Sequence, residues 1–172
     1  MKTKTRSKIY LPMAVLFLKA ALALPAAAQT TVPFEGTFQG SDNTSNLPTI
    51  VQSVTGIATL VGKFSSTTLL TVGPSGGTGT AQWIAANGDT IDTTVVGSPQ
   101  PVSMSPCQVE GAQPDDSYVK ITEIHTIIGG TGRFAGAQGS FTLILYHDKS
   151  MSSPHGTCGS FSGTITPRGE AH

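Results

Sequence analysis

From residue 29 onward, no run of about ten residues keeps a helical period free of Gly, Pro or β-branched interruption. The chain is instead divided into eight runs rich in Val, Ile, Thr and Phe. They cover about 32–39, 50–61, 64–73, 78–86, 89–97, 117–128, 139–147 and 158–166. The breaks between them carry turn chemistry. Gly62-Lys63 parts the second run from the third, and residues 73–77 (Gly-Pro-Ser-Gly-Gly) part the third from the fourth. Asn87-Gly88 lies between two β-rich runs, and both residues tolerate positive φ, which makes it the strongest hairpin signal in the chain. Many short strands joined by Gly-rich turns predict an all-β sandwich or barrel. Two stretches read as loops: the polar residues 41–48, and the Pro-rich residues 98–116, which contain Cys107.

The first 28 residues read differently. Lys2, Lys4, Arg6 and Lys8 form a basic front. An apolar stretch runs from about Leu11 to Leu24, and Pro25 and three alanines close the segment. These are the parts of a secretory signal peptide, with cleavage expected after Ala28. The apolar stretch is shorter than the ~20 residues that span a bilayer, and Lys19 interrupts it. The expected organisation is a signal peptide over 1–28 and a single β-barrel domain over 29–172, secreted or periplasmic. After cleavage no membrane association is expected.

Cleavage changes the charge. The whole chain is formally neutral, but five of its ten basic residues lie in the leader and all ten acidic residues follow it. The remainder carries five basic against ten acidic groups, a net charge of −5. Nucleic acid and anionic membrane surfaces both call for a basic patch, so neither is an expected partner. Export to an oxidising compartment predicts a disulfide between the two cysteines, Cys107 and Cys158. No His or Cys stands at zinc-ligand spacing from either, and no cofactor motif is present.

Residues 127–141 (Ile-Ile-Gly-Gly-Thr-Gly-Arg-Phe-Ala-Gly-Ala-Gln-Gly-Ser-Phe) resemble a recurring signature of small exported bacterial barrels. These belong to the allene oxide cyclase-like, dirigent-like group of calycin barrels. Residues 85–89 resemble that group's hairpin, and residues 56–64 its second strand and turn. The resemblance implies an eight-stranded antiparallel barrel around an apolar cavity. In the wider group such a barrel acts as a mould for a reactive hydrophobic molecule while a ring closes or radicals couple. Some relatives carry a His in the second strand where this chain has Leu60, and no residue here matches the catalytic acid of the plant cyclases. The resemblance therefore transfers no chemistry. The glycines of this segment suit a sharp turn between two strands, with Arg133 and Phe134 tucked back and Phe134 closing one end of the barrel. A phosphate-binding reading would need a following helix, whereas Phe141–Tyr146 reads as a strand.

Alternation along the strands selects the candidate site. In the sixth run Val119, Ile121, Glu123, His125 and Ile127 share the more apolar face, so Glu123 and His125 are expected to point into the barrel. In the seventh, Phe141, Leu143, Leu145 and His147 share one face, and Ser140, Thr142, Ile144 and Tyr146 the other. Pairing Ile127 with Phe141 would set Glu123 diagonal to His147 and gather Glu123, His125 and His147 into one cluster. Such a cluster suits general acid–base chemistry, a ligand's polar end, or a satisfied structural pair. It matches no specific metal motif. The candidate catalytic residues are Glu123, His125, His147 and Tyr146. The candidate lining is Phe34, Phe38, Trp83, Ile121, Phe141, Leu143 and Leu145.

Three readings stay open: an exported barrel that binds a small hydrophobic molecule, a cyclase or isomerase using the same cavity, and a structural or partner-binding barrel with a filled core. Nothing in the sequence sets the oligomeric state.

Overall fold

The computed structural model describes residues 29–103, 105, 118–148 and 154–167. The leader, Cys107 and most of the expected 98–116 loop lie outside these residues. Eight strands follow one another: β1 (Val32–Asn46), β2 (Thr49–Ala58), β3 (Gly62–Gly73), β4 (Gly76–Ala85), β5 (Thr90–Val102), β6 (Tyr118–Gly130), β7 (Gln138–Asp148) and β8 (His155–Thr166). Each pairs antiparallel with the next, and β8 pairs back onto β1 from Val32↔Ile165 to Asp42↔His155, closing the barrel. All eight sequence runs become strands. Closure removes the sheet edge along the paired part of the barrel, and alternate residues point inward.

Three local expectations are corrected. Residues 41–48 are not a loop. β1 continues to Asn46, and only Leu47 and the cis-linked Pro48 separate it from β2. Ser41 pairs with Ser53 on one side and Gly156 on the other, and a ladder on both sides overrides the weak strand preference of Ser, Asp and Asn. The second correction lies in β5, which runs on through Pro99 and Pro101 to Val102. β4–β5 pairing ends at Gly97, so residues 98–102 pair only with β6 and behave as an edge, where proline is tolerated.

The third concerns the register of β6 and β7. Ile127 faces Gly139, not Phe141. Gly129 and Gly130 pair with β5 instead, across a bulge at Asp92/Thr93, and this draws the register two residues along. A shift of two preserves the faces. His125 now faces Phe141, Glu123 faces Leu143, Ile121 faces Leu145 and Val119 faces His147.

The Gly-rich segment after β6 forms a single 3₁₀ turn, Gly132–Phe134. Phe134 is buried and closes that end of the barrel, with the Arg133 guanidinium 4.9 Å from its ring centroid. Gly132 sits at φ +56, where a Cβ would run into the Asp89 carboxyl group. Asp89 caps the β4–β5 turn from below, accepting from Asn87 Nδ2 at 2.9 Å and lying 3.4 Å from Arg133 Nε. The hairpin and the glycine loop thus lock together at one end.

Candidate functional site

The lumen is filled at one end and hollow at the other. At the end of the Asn87-Gly88 turn, Phe34, Phe64, Trp83, Phe141 and Phe161 pack ring against ring. Centroid separations run from 4.8 Å for Phe64–Trp83 to 6.2 Å for Phe34–Trp83. Val61, Ile91, Ile127, Phe134, Ala137 and Ile165 seal this plug. Edge-on and tilted aromatic contacts add to the hydrophobic gain of burying the rings.

Toward the end of the Leu47-Pro48 turn lies a cavity of about 240 Å³. Ile50, Leu70, Val72, Val119, Ile121 and Pro99 give it an apolar wall. Gly73, Gly76, Gly77 and Gly97 leave space along β3, β4 and β5, and Asp42, Thr44, Gln52, Glu123 and His147 supply its polar groups. A larger, shallower depression of about 550 Å³ lies on the outside of β1–β3. Among the described residues its one ionisable side chain is the exposed Lys63, whereas the lumenal cavity gathers Asp42, Glu123 and His147.

Glu123 and His125 stand where plug and cavity meet, and both are fully buried. His125 stacks on Phe141, with centroids 4.7 Å apart and planes 15° apart, and meets the edge of Trp83. Its Nδ1 lies 3.0 Å from Thr93 Oγ1 and its Nε2 lies 3.2 Å from Glu123 Oε2. With the ring proton on Nε2, His125 donates to Oε2 and Nδ1 accepts from the Thr93 hydroxyl, whose second, longer contact is the Ala81 carbonyl at 3.4 Å. Glu123 Oε1 then has no partner. A buried polar atom in that condition costs roughly 1–3 kcal/mol unless something binds it.

The residue opposite that oxygen is Gly97, where a Cβ would come to 3.8 Å from Glu123 Oε1 and 3.4 Å from its Cγ. The missing side chain therefore leaves room in front of the carboxyl group.

His147 does not join Glu123 and His125. Its Nδ1 donates to Asp42 Oδ2 at 2.6 Å, an acid–imidazole pair between β7 and β1. Asp42 is 2% exposed, and its Oδ1, like Glu123 Oε1, is buried with no partner. His155 packs beside His147 at 4.6 Å, and its Nε2 lies 3.0 Å from Thr44 Oγ1. One cavity is therefore bordered by the acids of two separate acid–imidazole pairs, with His147 on its wall and His125 behind Glu123, where the sequence suggests a single cluster.

The remaining expected residues divide clearly. Of the seven candidate lining residues, Ile121 borders the cavity. Phe34, Trp83 and Phe141 form the plug, and Phe38, Leu143 and Leu145 are buried in the same core. Tyr146 pairs with Lys120 and Cys158 on the strand face opposite to Leu145 and His147, so it stands apart from Glu123. Cys158 is buried, and no free thiol occurs among the described residues. Sequence reasoning missed Asp42 and Gly97. Asp42 falls in the polar stretch 41–48 that reads as a loop, and a glycine announces no chemistry until its neighbour is known.

Among the described residues, no group of three or more His, Cys, Asp or Glu side chains is placed to hold a metal ion. No family model, curated protein or solved structure matches this chain.

Proposed function

We propose that this chain is an exported barrel of the allene oxide cyclase-like, dirigent-like kind, and that the hollow end of its lumen binds one small, largely apolar molecule. The observation that carries this reading is the uneven filling of the lumen. Five packed rings seal one end, and the other keeps a cavity of about 240 Å³ lined by aliphatic side chains with a buried carboxyl group at its base. A barrel whose interior served only as a core would gain by filling that space. The volume falls below the ~300–1,000 Å³ of common ligand pockets, which favours a compact ligand. The leader-like first 28 residues and the acidic remainder support an exported protein that avoids nucleic acid.

A second reading is favoured by one observation, the chain of contacts Thr93–His125–Glu123. It ends on a carboxyl group that borders the cavity, and a proton can be held or taken there during an isomerisation or cyclisation.

Native mass spectrometry of the protein purified from its own host tests the binding reading. A bound small molecule is expected. A bare protein that also binds none of a panel of compact apolar compounds leaves the filled-core reading in its place.

A further inference from the structure

Two carboxyl groups on the cavity wall each direct one oxygen to an imidazole and leave the other bare. Glu123 gives Oε2 to His125 Nε2 and keeps Oε1; Asp42 gives Oδ2 to His147 Nδ1 and keeps Oδ1. Both residues are more than nine-tenths buried. The other polar side chains described on the wall, Thr44 and Gln52, are uncharged, and among the described residues no Lys or Arg lines the cavity. Among the described lining residues the one group that can become a cation, His147, is already engaged by Asp42.

A lumenal site that offers bare acceptors and, among the described residues, no free cation discriminates by head group. A donor satisfies the orphaned oxygens and removes their desolvation penalty. A carboxylate would bring a third acid next to two others, and like charges in a poorly hydrated space repel strongly. Gly97 keeps the approach to Glu123 Oε1 clear.

We propose that the cavity selects a compact apolar molecule carrying a hydrogen-bond-donating head group, a protonated primary amine above all, and rejects carboxylates. This rests on the lumen-binding reading above and specifies its ligand class. The apolar body would lie against Ile50, Leu70, Val72 and Ile121, with the ammonium group turned toward Glu123 and Asp42.

The test is a set of near-isosteric probes: cyclohexylmethylamine, cyclohexanemethanol, cyclohexanecarboxylic acid and methylcyclohexane, titrated calorimetrically into the purified protein at neutral pH. The amine is expected to bind best and the alcohol next. A hydrogen bond to a charged group is worth about 1.5–3 kcal/mol, so the amine should exceed the acid and the hydrocarbon by at least about tenfold. Glu123→Gln should erase most of that preference. Gly97→Ala keeps both acids but fills the space before Oε1, and should also reduce it. If Glu123→Gln fails to fold, Gly97→Ala and Asp42→Asn decide. An acid or hydrocarbon that binds as tightly as the amine overturns the head-group inference while leaving lumen binding intact. A preference unchanged in all the folded variants overturns it as well. Binding by none of the four overturns the inference and lumen binding together.

Discussion

His125 Nε2 lies 3.2 Å from Glu123 Oε2, and neither side chain has any exposure to solvent. The two residues are two apart on one strand face, so period-2 geometry brings them together, and the aromatic plug fixes the imidazole. The ring thus contributes both packing and a polar contact. Replacing it in two ways separates these roles. His125→Phe keeps a ring against Phe141 but leaves the Glu123 carboxyl group without its partner, with an expected loss of about 1–3 kcal/mol. His125→Ala removes the packing too and should cost about 3–5 kcal/mol. Urea denaturation measures both. Equal losses would mean that the ring stack contributes nothing.

The sealed half of the lumen has an optical reporter. Trp83 is the single tryptophan and is 2% exposed, among Phe34, Phe64, Phe141 and Phe161. Its emission should lie well to the blue of free indole and resist iodide until the barrel unfolds. Phe34→Ala should cost about 3–5 kcal/mol by opening a void within the cluster. Strong quenching of the native protein by iodide would contradict a closed plug.

Two glycines with positive φ differ in their surroundings. At Gly132, φ +56, an added Cβ meets the Asp89 carboxyl group; at Gly62, φ +65, it meets nothing within 4 Å. Both Gly→Ala changes incur the left-handed penalty of roughly 1–2 kcal/mol. Gly132→Ala should lose more, because it also displaces Asp89 from Asn87 and Arg133. The difference between the two denaturation free energies isolates the cost of unlocking that end of the barrel.

Cys158 lies in β8 beside Tyr146, and its expected partner is Cys107. The intact mass should be lower than the dithiol mass by two hydrogens, and iodoacetamide should label neither cysteine before reduction. In the chain-entropy model a crosslink spanning about 50 residues contributes roughly 4 kcal/mol, so reduction should lower the denaturation midpoint substantially. Labelling of the unreduced protein would remove the bridge from the account.

If the first 28 residues act as the proposed leader, N-terminal sequencing of the protein recovered outside the cytoplasm should begin at Gln29. Retention of residues 1–28 on protein recovered outside the cytoplasm would replace the cleaved leader by an anchor.

Alternation along the chain determined how many strands form and which side chains share a face. Both depend only on a local period of two, so Glu123 and His125 were legible as an inward pair, and Phe134 as a barrel plug. Gly and Asn at the turns announced themselves for the same local reason. Barrel closure decided the rest. It brings Asp42 of β1 within 2.6 Å of His147, 105 residues away, and it extends β1 through a polar segment that would have been a loop without neighbours on both sides. It also decides which half of the lumen its rings fill. A side chain's face is set by its own strand, but its neighbours across the interior depend on the register of every pairing around the circle, and no local signal records that.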